Sequence, residues 1–134
     1  MSPRTVETSS FEEYLTDVDA EYRAAEESER NERLSRFPHS VMLKVSFAEL
    51  DFADRWCWQN FGPSDGACLD RHSEYRVCDR AEPHSHVGKW MSCFLGKTGY
   101  NFGFNEWYFV EPADRDLFVA NVDKINWGEH YSKP

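Results

Sequence analysis

A single mixed α+β domain is the fold class this sequence predicts, and three features predict it. Val41, Leu43, Val45 and Phe47 alternate with Met42, Lys44 and Ser46, the pattern of a half-buried strand. Residues 52–61 and 113–122 carry apolar side chains at helical spacing. Between them lies a strongly aromatic strand-like run, Tyr100 to Val110. The chain has 134 residues, about the size of one domain, and its ten Phe, six Tyr and five Trp can bury a large apolar area.

The elements follow in order. Residues 1–10 are polar and read as a flexible N-terminus. Ser10-Phe11-Glu12-Glu13 fits a capping box, with Ser10 as N-cap and Glu13 reaching back to its amide. Phe11, Tyr14, Leu15, Val18, Tyr22 and Ala25 then lay one apolar stripe along a helix. Beyond Ala25 the pattern turns to Glu26, Glu27, Glu29, Arg30, Glu32 and Arg33, solvated on nearly every side. Glu26–Arg30 and Glu29–Arg33 have the favourable i,i+4 order. Phe37-Pro38 stops this helix, so residues 11–36 read as one appended helix packed by its first half. After the strand at 41–47, Asp51 is the expected cap of helix 52–61, whose inward stripe is Phe52, Ala53, Trp56, Cys57 and Phe61. Trp58 falls off that stripe, and Gly62-Pro63 ends the helix.

Residues 62–87 form a long loop rich in Gly, Pro, Ser, Asp and charge. A loop of that length inside a compact domain points to a clip, a function or mobility. Lys89 to Leu95 reads as a second strand with Met91, Cys93 and Leu95 on one face. Gly96–Gly99 is a turn, Tyr100–Val110 the third strand, and Pro112 suits the first turn of a helix with Leu117, Phe118 and Val122 on its apolar side. Lys124–Trp127 is a candidate last edge strand. Residues 40–127 thus read β-α-β-β-α-(β), the split βαβ order of ferredoxin-like domains, in one α+β domain spanning 11–134. The face of the sheet opposite its two helices is left for the appended helix to cover or leave open. No internal repeat or low-complexity tract occurs.

Charge narrows the function classes. The net charge is −9, with 24 acidic against 15 basic residues. Phosphate backbones and anionic lipids repel such a chain, so direct nucleic-acid binding is disfavoured and a protein partner with a basic surface is favoured. No apolar run reaches the ~20 residues of a membrane-spanning helix, and Met1–Ser10 lacks a signal-peptide core. The expected compartment is the cytoplasm, where Cys57, Cys68, Cys78 and Cys93 stay thiols or bind metal.

Four constellations bear on chemistry. Cys68, His72, Cys78, His84 and His86 lie within nineteen residues and hold the thiolate and imidazole donors that zinc takes. Their irregular spacing lacks the tight knuckle of common zinc modules, so no cofactor is the first expectation. A metal-stabilised or metal-dependent hydrolytic protein is one alternative. His84 and His86 as bases and Asp65, Asp70 and Glu106 as acids are the groups available to catalysis, but no nucleophile–base arrangement or phosphate-cradling loop can be read from spacing.

Phe102-Gly103-Phe104, followed by Trp107, resembles the aromatic core motif of RNA-recognition-motif domains, over about eight residues. The resemblance implies a divergent RNA binder with Phe102 and Phe104 stacking bases on an open sheet face. Tyr100, Asn101 and Asn105 depart from the motif.

The fourth constellation is an interaction surface. Residues 1–36 hold ten acidic and five basic side chains. An acidic helix face carrying Glu26, Glu27 and Glu29 can occupy a basic groove built for nucleic acid. Trp58, Phe102, Phe104 and Trp127 are aromatic contact candidates. In bulk composition the chain resembles phage and mobile-element inhibitors of host defence, of the anti-CRISPR and antirestriction kinds. A non-enzymatic, acidic protein-interaction domain of that inhibitory type is the leading functional expectation.

Overall fold

The computed structural model describes residues 7–65, 87–98 and 102–122. It is a mixed α+β fold of four strands and four helices among those residues. The order is β1 (Glu7–Ser9), α1 (Phe11–Leu15), α2 (Ala20–Arg36), β2 (His39–Ser46), α3 (Phe47–Phe61), β3 (Trp90–Lys97), β4 (Phe102–Phe109) and α4 (Pro112–Asn121). The strands form one antiparallel sheet in the order β1-β2-β4-β3. No helix among the described residues is long and apolar enough to cross a membrane.

The period of two in the strands builds two faces. On one, Leu43 and Val45 of β2, Trp90 of β3, and Trp107 and Phe109 of β4 meet Phe52, Ala53 and Cys57 of α3 and Phe118 of α4. The other face carries Met42 and Phe104 under Phe11 and Tyr14 of α1, with Leu15, Val18 and Leu95 packed alongside. Both faces of the sheet are therefore covered, the second by the N-terminal helices.

That second layer differs from the sequence expectation in three ways. Glu7–Ser9 is a strand, paired with Met42–Lys44, where a flexible terminus was expected. The helix over 11–36 is broken: α1 ends at Leu15, where the Thr16 hydroxyl turns back to the Glu13 carbonyl at 2.7 Å, and α2 starts afresh after Asp19. Thr, Asp and Val in a row disfavour helix through β-branching and local side-chain bonding, which sets the break at 16–19. Ser10 does cap α1, accepting from the Glu13 amide at 3.2 Å, but the Glu13 carboxylate turns to the Ser9 hydroxyl and to Lys44 Nζ, 2.7 Å away, so the box is half formed. Those two bonds hold the Glu13 carboxyl below its ordinary pKa. The apolar stripe stops at Val18: Tyr22 is 58% exposed, and Ala25 is exposed too.

α3 begins five residues earlier than Phe52. Its N-cap is Ser46, whose hydroxyl accepts from the Glu49 amide at 3.1 Å while the Glu49 carboxylate accepts from the Ser46 amide at 2.8 Å. Asp51 lies inside the helix and pairs with Arg55 at 3.1 Å, rather than capping it. Gly62 closes α3 at φ 87°, a backbone state that favours glycine. Leu117 of α4 is exposed; Phe118 and Val122 carry its packing.

The two ends of the long loop are fastened to each other. Trp90 Nε1 donates to the Gly62 carbonyl at 2.8 Å, and the Asp65 amide donates to the Trp90 carbonyl at 2.8 Å. The Asp65 carboxylate accepts from the Gly88 amide at 3.1 Å and from Arg36 at 2.8 Å. A Cβ at Gly88 would sit 2.4 Å from the Asp65 amide nitrogen, so only glycine allows this approach. Asp65, a candidate acid in the sequence, is a clasp here.

Candidate functional site

The polar center of the molecule lies between α2 and the sheet. Glu106 sits mid-strand in β4, 1% exposed, on the face turned toward α1 and α2. A buried carboxylate is costly unless paired and hydrogen-bonded. Arg30 of α2 meets it with a two-pronged contact, Nε to Oε1 and Nη2 to Oε2, both 2.9 Å. The Ser40 hydroxyl donates to Oε2 at 3.0 Å, and the Tyr108 hydroxyl donates to Oε1. Each oxygen thus accepts two bonds. This pairing pushes the Arg30 pKa up, the hydrogen bond to Glu106 being the largest cause.

One turn further along α2, Arg33 Nε donates to the Tyr108 hydroxyl at 2.9 Å, and its guanidinium carbon lies 5.4 Å from the Tyr108 ring center. Arg30 likewise rests 4.5 Å from the center of the Phe11 ring. Burial first, and the bond to Glu106 second, push the Tyr108 hydroxyl well above its ordinary pKa. Tyr14 is pushed to about 12, again by burial first and then by the Glu26 carboxylate. α2 buries no residue completely, so this arginine layer is what attaches it to the sheet. A cavity of about 290 Å³ opens beside Glu106, lined by Ser9, Ser10, Phe11, Glu12, Arg30, Ser40, Val41, Met42 and the Glu106 carboxylate.

The inward turn of Arg30 and Arg33 determines what α2 shows outward. The expected i,i+4 partners of Glu26 and Glu29 are spent on the sheet. Glu21, Glu27, Glu29 and Glu32 are exposed, beside exposed Glu12, Asp17 and Asp19, while Glu26 is half-buried near Tyr14. The exposed carboxylates of α2 are therefore those of Glu21, Glu27, Glu29 and Glu32, spread over its solvent-facing sides together with exposed Arg23 and Arg36, and Glu26 is not one of them.

The other aromatic candidates separate. Phe104 is 2% exposed beneath Tyr14, with ring centers 5.8 Å apart, so it is not on an open face. Phe102 is exposed at the end of β4, and Trp58 is half-buried against the α3–α4 core. Trp127, the candidate strand 124–127, and Cys68, His72, Cys78, His84 and His86 lie outside the described residues, as does Asp70. Among the described residues no group of three or more His, Cys, Asp or Glu is placed to hold a metal ion.

A half-buried acid on the opposite face of the sheet was not anticipated. Asp54 of α3 accepts from Trp107 Nε1 at 2.8 Å. Burial lifts its pKa to about 6 from an ordinary 3.8, against the opposing bonds from Trp107 and Ser92. Its folded-state pKa thus lies above the unfolded value. The folded protein holds the proton more tightly between pH 4 and 6, and stability falls as pH rises through that window. Asp54→Asn keeps an acceptor for Trp107 and removes the charge. Its stability relative to the parent is expected to rise by about 2–3 kcal/mol between pH 4 and pH 7. Urea titrations at those two pH values check this, and a pH-independent difference would contradict it.

No protein-family model matches the chain, and no curated protein or solved structure matches it.

Proposed function

We propose that this chain is a non-enzymatic protein-binding domain that sets the outer face of α2 against a basic surface on its partner. The inhibitory form of this reading has the helix occupying a groove that otherwise holds nucleic acid, as in inhibitors carried by phage and mobile elements. The arrangement of helices about a β-α-β-β-α core is consistent with a ferredoxin-like scaffold for it. One observation carries the reading: Arg30 and Arg33 turn inward onto Glu106 and Tyr108, so the carboxylates of Glu21, Glu27, Glu29 and Glu32 face outward without them. An excess of negative charge on the exposed sides of a helix steers association with a surface of opposite sign.

The test is capture from a native-cell lysate with the parent chain and with E27K/E29K/E32K as baits. The expected result is a partner retained by the parent, lost from the triple variant, and displaced by a polyanion such as heparin. Equal retention on both baits would overturn the reading. The fold of the variant is checked by its denaturation midpoint, since exposed charge changes away from special features shift stability by only about 0.5 kcal/mol.

A further inference from the structure

The cavity beside Glu106 is lined by a guanidinium with only part of its donors in use. Arg30 donates Nε and one Nη2 proton to Glu106, each at 2.9 Å, and its central carbon lies 4.5 Å from the center of the Phe11 ring. One edge and one face of the group are thereby fixed. Nη1 and the second Nη2 proton form the other edge, and no acceptor among the described residues takes them. Such a fork, held in place before a ligand arrives, fits a carboxylate in two-pronged geometry. The Arg30 side chain is 22% exposed, so the cavity is open to solvent there.

The other two charged groups on the wall are Glu106 and Glu12. Each Glu106 oxygen already accepts two bonds, which leaves it no site for a ligand. Glu12 is exposed and close enough to Arg30 to interact with it electrostatically. Beyond the Arg30–Glu106 pair, the wall therefore offers one fork for a carboxylate and one carboxylate for a cation. A simple anion would meet Glu12 and a chain of net charge −9, and a simple cation would meet the Arg30 fork. A small molecule carrying both charges matches both groups. The volume of about 290 Å³ lies just below the ~300–1,000 Å³ of sites for drug-sized ligands, which keeps the occupant small. Phe11 and Met42 also line the cavity and offer an apolar wall.

We propose that this cavity binds a small zwitterion, an α-amino acid with a short apolar side chain, with its carboxylate on the free fork of Arg30 and its ammonium on Glu12. Each of these charge-assisted contacts is worth about tenfold or more in affinity.

The probes are L-alanine, acetate and L-alanine amide, at constant pH and ionic strength, titrated into the full chain with backbone amide NMR shifts as the readout. L-Alanine should shift the amides of Glu12, Arg30 and Ser40 saturably. Acetate lacks the ammonium and the amide lacks the carboxylate, so each should need about tenfold more for the same shift. Glu12→Gln, at an exposed position, keeps the fold and removes the anion. It should weaken L-alanine about tenfold and leave acetate bound at least as well as in the parent. E27K/E29K/E32K should bind L-alanine as the parent does, which separates this site from the exposed carboxylates of α2. The absence of a saturable shift with L-alanine, equal affinities for the three probes, or an unchanged preference for L-alanine over acetate in Glu12→Gln would each overturn the proposal.

Discussion

Replacing Arg30 by leucine is expected to cost about 2–4 kcal/mol of folding stability. The Glu106 carboxylate is buried beneath α2, and both arms of the Arg30 guanidinium end on it at 2.9 Å. Removing the cation leaves a buried charge without its counter-ion, which costs about 3–5 kcal/mol for a fully buried pair. The lower range allows for the Arg30 side chain, which is 22% exposed and reached by water. The pair itself is a different matter from its breakage, because apolar replacement of both members is often close to neutral. R30L/E106L should therefore recover at least half the loss of R30L alone. Urea midpoints of the parent, both single variants and the double variant form a cycle that isolates the coupling. A cost for R30L under about 0.5 kcal/mol, the range of an ordinary surface change, would mean that the arginine layer does not attach α2.

The largest effect on the opposite face is expected at Phe118. This residue is fully buried at 0% exposure, with ring centers 5.3 Å from Trp107, 5.7 Å from Phe109 and 5.7 Å from Trp56. It is the described side chain of α4 that meets both the strand aromatics and α3. Phe118→Ala removes the transfer free energy of a ring and leaves a cavity that rigid neighbours on three sides cannot fill, a cost of about 3–5 kcal/mol. A domain of this size has roughly 5–15 kcal/mol in total, so the variant should unfold at a much lower denaturant concentration, with an unchanged slope. A loss under about 1 kcal/mol would show that α4 does not close the core.

The elements that sequence revealed are those whose own residues carry the signal. Alternation at Val41, Leu43 and Val45 put the right side chains on the α3 face of β2. Phe52, Ala53 and Cys57 lined α3 as their spacing predicts. The capping box Ser46-x-x-Glu49 was equally present in the sequence, but Ser46 also fitted the strand alternation and the more conspicuous Asp51 took the role. β1 was out of reach because three residues hold no period, and only pairing with Met42–Lys44 defines them as a strand. The role of Arg30 and Arg33 was out of reach for another reason. Their partners lie 76 and 75 residues away, and a helix alone offers Glu26 and Glu29 as nearer ones. The available signal was Glu106 itself, one acid amid the aromatic residues of β4, which demands a cation in the folded state. Asp54 is the same lesson on the other face, since only the fold brings it to the Trp107 indole.

The arginine layer anchors one side of α2 and the exposed carboxylates surround the rest, so the central question is whether those carboxylates guide binding. The measurement is the association rate of the lysate-captured partner with the parent and with E27K/E29K/E32K, across a series of salt concentrations. Exposed charges are screened over about 8 Å at physiological ionic strength. The parent rate should be high at low salt and fall steeply as salt rises, while the triple variant associates slowly and its rate does not fall as salt rises. Trp58→Ala, at a half-buried position on α3, should leave the salt dependence of the association rate unchanged. Superimposable salt series for the parent and the triple variant would contradict the account and reduce the outer face of α2 to a solvated surface.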